Sequence, residues 1–129
     1  MQVISSYFDE VYIASDEILF KQGQLSDALY LILKGSIAIV LELKNQQPII
    51  VRKMRTGAIL GELALYTGEP RSASAYAKSD CVLYRLSLEN YKKLCIDHPA
   101  EATVFSSYIV RLTAERLTRA NRSAYKLGQ

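Results

Sequence analysis

One histidine and two cysteines are too few and too far apart to build a zinc site. His98 stands before Pro99 at a helix junction, Cys81 falls in an apolar strand pattern and Cys95 in a helical one. A metal-dependent jelly roll of the cupin type is therefore disfavoured. The cysteines read as buried thiols rather than a disulfide framework. A nucleophile paired with a base is missing too, which argues against an enzyme. Long apolar runs are equally scarce. Ala28 to Leu33 is stopped by Lys34-Gly35 and Ile37 to Leu41 by Glu42, well short of the roughly 18 residues a membrane span needs. Met1 leads onto Gln2-Val3-Ile4-Ser5-Ser6 without a basic stretch or a long apolar core. The expectation is a cytoplasmic segment, or one facing the cytosol as the tail of a membrane protein.

What is present is a chain of 129 residues, half of them hydrophobic, which can bury about two-thirds of its unfolded surface as a single domain over 1–129. The net charge of +3 is unevenly spread. Residues 104–129 hold Arg111, Arg116, Arg119, Arg122 and Lys126 against Glu115 alone, which is +4 and leaves −1 for the rest. Short strands are predicted at Val11–Ile13, Ile18–Phe20, Ala28–Lys34, Ser36–Leu43, Pro48–Val51 and Cys81–Leu86, with Gly23 and Gly35 at reversals and a small strand after Pro70-Arg71 in which Tyr76 alternates outward from Ala75 and Ala77. Such spacing argues for a mainly β fold with flanking helices: an antiparallel β jelly-roll barrel over 1–86 and C-terminal helices over 87–127. Ser87 is a plausible N-cap for a helix from Leu88 to Ile96, with Leu88, Tyr91, Leu94 and Cys95 on one face. Pro99 then opens a longer helix whose apolar stripe is Val104, Phe105, Tyr108, Ile109 and Leu112, fading through Leu117, Ala120 and Ala124.

The stretch from Gly61 to Ala75 mixes small residues with one early acid and one late arginine. Gly61 lets backbone approach a ligand, and Leu63-Ala64-Leu65 can make one helical turn whose free N–H groups attract phosphate. The turn at Gly68 and Pro70 can bring Arg71 back over the same spot for a charge-assisted contact. Glu62, an acceptor only, suits a hydroxyl such as a ribose 2′-OH. One ligand carries both groups, a ribose cyclic phosphate.

At Gly61-Glu62-Leu63-Ala64-Leu65 and Pro70-Arg71-Ser72-Ala73-Ser74 the chain resembles the phosphate-binding cassette of the cyclic nucleotide-binding domain superfamily. The likeness extends to Phe20-x-x-Gly23, Asp27-x-x-Tyr30, Gly35 and Gly57. It implies that Glu62 takes the ribose 2′-OH and Arg71 the cyclic phosphate. It also implies that backbone around Gly61, Leu63, Ala64 and Ala73 lines the anion site, with the Ser72 hydroxyl near phosphate or base. Leu60 stands where Phe is usual, a change of packing only. Ala75-Tyr76 stands where Val is common, which brings Tyr76 to bear on the base pocket. Phe20 and Tyr30 are assigned to the core.

The implied ligand is a cyclic nucleotide, cyclic AMP favoured over cyclic GMP, with no metal. The C-terminal helices are expected to close over it as a lid and relay, and they admit a homodimer through the last helix. No second recognition helix follows, so nucleic acid is not an expected partner. The ending Arg111-Leu112-Thr113-Ala114-Glu115-Arg116-Leu117 and the cassette together resemble domains appended to bacterial sulfate permease-type (SulP) transporters. That implies a regulatory tail of a membrane transporter. The alternative is a barrel that keeps the fold without ligand, as a structural or interaction domain. Members of that kind usually lack the acid or the arginine, and here both are present.

Overall fold

A computed structural model describes residues 2–62 and 67–127. A short helix α1 (Gln2–Ser5) precedes eight strands: β1 (Asp9–Ile13), β2 (Ile18–Phe20), β3 (Ala28–Lys34), β4 (Ile37–Leu41), β5 (Ile49–Met54), β6 (Ile59–Leu60), β7 (Ser74–Ala77) and β8 (Cys81–Ser87). Two helices follow, α2 (Leu88–Asp97) and α3 (Pro99–Leu127). The strands form two four-stranded antiparallel sheets, in the orders β1-β8-β3-β6 and β2-β7-β4-β5. The mainly β architecture expected from the strand spacing is thus the observed one. Helix α1 and the two-residue strand β6 have no counterpart in that expectation.

The unbroken apolar run of β3 follows from its position. Ala28, Tyr30 and Ile32 point between the sheets, where they pack with Ile37, Met54, Leu60, Ala75, Ala77 and Leu83. Leu29 points the other way, into a second cluster with Leu86 and Ile109 that is flanked by Phe105 and Leu112. A strand covered on both faces has no polar face to alternate with. Gly35 turns β3 into β4 at φ +103, and a side chain there would run into Cys81 Sγ and the Asp80 carbonyl.

Ser87 caps α2 as its position suggests, its hydroxyl accepting from the Asn90 N–H at 3.0 Å. His98 ends α2 by donating its N–H to the Leu94 carbonyl, while its own carbonyl accepts from Ala102 at the start of α3. The expected apolar stripe of α3 needs correction. Ala102, Phe105, Ile109 and Leu112 face the body, but Val104 and Tyr108 are exposed. At about 100° of turn per residue, they lie on a flank that points away from Ile109. Cys95 is also only half-buried, unlike Cys81, and both thiols are free. The continuation of the stripe at Leu117, Ala120 and Ala124, and the charges Arg116, Arg119, Arg122 and Lys126, concern side chains outside the described residues.

Candidate functional site

Glycine 61 and Glu62 follow directly from β6, and Arg71, Ser72 and Ala73 lead into β7. The chain at Arg71 is clamped by a reciprocal backbone pair: its N–H donates to the Gln24 carbonyl and its carbonyl accepts from Gly23, both at 2.8 Å. One step on, the buried Ser74 hydroxyl accepts from the Gln22 N–H at 2.9 Å. The turn after β2 therefore fixes where Arg71 leaves the backbone.

From that anchor the Arg71 side chain runs inward and is 6% exposed. Its guanidinium lies 4.1 Å over the Phe20 ring and 6.0 Å from the Tyr30 ring. Nη2 donates to the Ala28 carbonyl at 2.7 Å, whereas Nε and Nη1 are buried with no hydrogen-bond partner among the described residues. Burial lowers the pKa of this group from its ordinary value, a shift opposed by nearby Tyr30 and Asp27. Two orphaned donors on a buried cation are costly to the free protein and are suited to an incoming anion. Gly61 is built into the same feature: at φ +70 it lies against Arg71, and a Cβ there would collide with Nη1.

Glu62 is 5% exposed and accepts from the Thr113 hydroxyl of α3 at 3.3 Å. Gly61, Glu62, Arg71, Ser72 and Ala73 share the wall of one cavity of about 590 Å³. Across from them lie Ile39, Leu41, Val51 and Met54 of β4 and β5, with Arg52 among them. The cavity thus offers anion donors and a carboxylate on one side and an apolar wall on the other. Such an arrangement can hold a ligand that is charged at one end and flat and apolar at the other.

Five of the seven residues singled out in the sequence are brought together here. The remaining two, Leu63 and Ala64, lie outside the described residues, as does most of the expected helical turn. Ser72 is exposed on the cavity wall. Tyr76 is a correction: it does not line the cavity, because its side chain leaves the outer face of β7 and its hydroxyl donates to Glu42 at 2.9 Å. Two roles escaped the sequence reading. Phe20 and Tyr30 do pack in the core, but they also carry the Arg71 guanidinium, and Thr113 reaches Glu62 from 51 residues away. The first has no sequence signal of its own, since a ring that fills a core and one that carries a cation read alike. Nothing local signals the second.

Comparison with known proteins agrees with this geometry. The profile of the family described as "cyclic nucleotide-binding domain" matches residues 10–98. The cAMP-activated global transcriptional regulator CRP of Escherichia coli is 29% identical over 115 residues, covering 88% of this chain and 51% of that one. The cAMP-dependent protein kinase regulatory subunit of Dictyostelium discoideum is 33% identical over 88 residues, 68% of this chain and 27% of that one. Among solved structures, the Thermus thermophilus catabolite activator protein superposes with a TM-score of 0.82 at 28% identity, over 98% of this chain and 58% of that one. A cyclic nucleotide-binding domain from Methylobacillus flagellatus gives 0.83 at 27%, over 88% and 64%. The chain spans about half the length of the CRP relatives it matches and 27% of the kinase regulatory subunit.

Proposed function

The chain belongs to the cyclic nucleotide-binding domain family, and from that membership we propose that it is a sensor module that captures a cyclic nucleotide in the 590 Å³ cavity. The observation that carries the reading is the buried Arg71 guanidinium, with Nε and Nη1 unpartnered among the described residues. We assign the cyclic phosphate to these donors and to the backbone at Gly61, Leu63, Ala64 and Ala73. The ribose 2′-OH goes to Glu62, Ser72 stands by phosphate or base, and the purine lies on the apolar wall. The relatives named above, a transcriptional regulator and a kinase regulatory subunit, support a binding role rather than catalysis. Cyclic AMP is the favoured nucleotide because the E. coli and Dictyostelium relatives above are named for it, and competition with cyclic GMP tests that choice.

The sensor is taken to span 1–129, with the barrel over 1–86 and the relay over 87–127. Among the described residues no helix is long and apolar enough to cross a membrane, and we place the module in the cytoplasm. Its effector is assigned outside these residues. The likeness to the tails of sulfate permease-type transporters supports a transporter as that effector, although the relatives named above are a transcriptional regulator and a kinase subunit. Exposed Val104 and Tyr108 on α3 support a homodimer through that helix. Titration calorimetry with cyclic AMP and cyclic GMP on wild type and on Arg71→Ala tests the core of the proposal. Saturable binding lost in the variant is the expected result. No heat with either nucleotide would leave the alternative, a barrel serving as an interaction domain.

A further inference from the structure

Three threonines of α3 have described hydroxyls, and they behave differently. Thr103 donates to the Pro99 carbonyl at 2.9 Å and Thr118 to the Ala114 carbonyl at 3.0 Å, each bonding back one turn. That back-bond is the usual resting place of a helical threonine hydroxyl. Thr113 turns instead to Glu62 Oε1, across 51 residues of sequence. The contact joins the helix to a buried acid on the cavity wall that it shares with Arg71 and Gly61.

We infer that Thr113 is a positioning residue for ribose recognition: its hydroxyl braces the Glu62 carboxylate from the helix side and so helps set the orientation in which that acid lines the cavity. A carboxylate has about four acceptor sites, so it can hold a donor from α3 and a donor from a sugar at the same time. The buried acid is then oriented before ligand arrives, which reduces the ordering cost of binding. Reciprocity follows from linkage. A ligand hydroxyl that fixes Glu62 must favour the docked arrangement of α3 around Thr113 by the same factor that docking favours the ligand. In this way the sugar contact, and not only the phosphate contact, would reach the helix.

The inference rests on the cyclic nucleotide reading of the cavity, and the experiment separates the two. Cyclic AMP and 2′-deoxy cyclic AMP are titrated into wild type, Thr113→Val and Thr113→Ser. Valine keeps the shape and removes the hydroxyl, and serine restores it. The expected result is that Thr113→Val weakens cyclic AMP about three- to tenfold, the size of one modest hydrogen bond. The loss should fall below about twofold for the 2′-deoxy ligand and be largely recovered in Thr113→Ser. A merely structural role for Thr113 would weaken both ligands alike. Equal losses for the two ligands, unchanged affinity, or tighter binding by Thr113→Val each overturn the brace while leaving the cavity reading intact. Absence of binding to wild type overturns both. Should Thr113→Val fold poorly, Glu62 and α3 are tested with Thr113→Ser and Thr113→Asn, and a loss in the asparagine variant that is the same for both ligands again overturns the brace.

Discussion

Two arginines flank the start of β3, and only one of them is neutralised. Arg85, on β8, lies 3.5 Å from Asp27 and 4.0 Å from Asp9, with its side chain 28% exposed. Arg71 reaches the neighbouring residue, Ala28, but finds there only a carbonyl and the faces of Phe20 and Tyr30. The first is a structural ion pair at a half-open surface, which contributes little by itself. The second is a desolvated cation with no salt-bridge partner among the described residues, which folding alone does not favour. The difference separates an arginine kept for the fold from one kept for a ligand. Residues around each follow suit, since Gly61 leaves room for Nη1 whereas nothing comparable surrounds Arg85.

The sharpest way to break this comparison is to remove each cation in turn. Arg71→Ala should weaken cyclic nucleotide by about thirty- to several-thousand-fold, or roughly 2 to 5 kcal/mol, measured by calorimetry. Arg71→Met should leave the ligand-free protein about as stable as wild type in urea, because it trades an unpaired buried charge for apolar bulk. Marked destabilisation by Arg71→Met would assign that guanidinium to the fold. Gly61→Ala comes next: the added Cβ meets Nη1 and the backbone is held at positive φ, so affinity should fall about tenfold or more and stability by about 1 kcal/mol. Glu62→Gln still accepts from a hydroxyl but loses the charge, and about a tenfold loss for cyclic AMP is expected, shrinking with the 2′-deoxy ligand. Smallest is Arg85→Met, which should lower stability by no more than about 1 kcal/mol and change affinity by no more than about twofold. An Arg85 variant that lost the ligand would dissolve the distinction.

The legibility of the molecule in its sequence divides along a similar line. Gly61, Glu62 and Arg71 could be read because their chemistry and spacing act locally: a positive-φ glycine, an acceptor beside it, and an arginine returned by a turn. Ser87 could be read as a cap for the same reason, since its partner Asn90 is three residues away. Phe20 and Tyr30 were legible as core but not as the platform for Arg71, because an aromatic ring that fills a core and one that carries a cation have the same sequence signature. Thr113 was not legible at all. Its usual partner is one turn back, and only the docking of α3 on the barrel offers it Glu62. The exposed Val104 and Tyr108 misled for a related reason, as periodicity finds an apolar stripe but does not say how far round it the neighbouring sheet reaches.

The central claim is that the orphaned Arg71 donors are the seat of an anion carried by a nucleoside. The most direct measurement is the nitrogen-edited proton spectrum of arginine Nε–H groups, with the Arg71 signal assigned by its disappearance in Arg71→Met. Cyclic AMP should move that signal to higher proton frequency as Nε gains a charged acceptor, while adenosine, which has the sugar and base but no phosphate, leaves it in place and the Arg85 signal is unmoved by either. An Arg71 Nε–H that does not respond at a concentration of cyclic AMP that saturates binding would contradict the account.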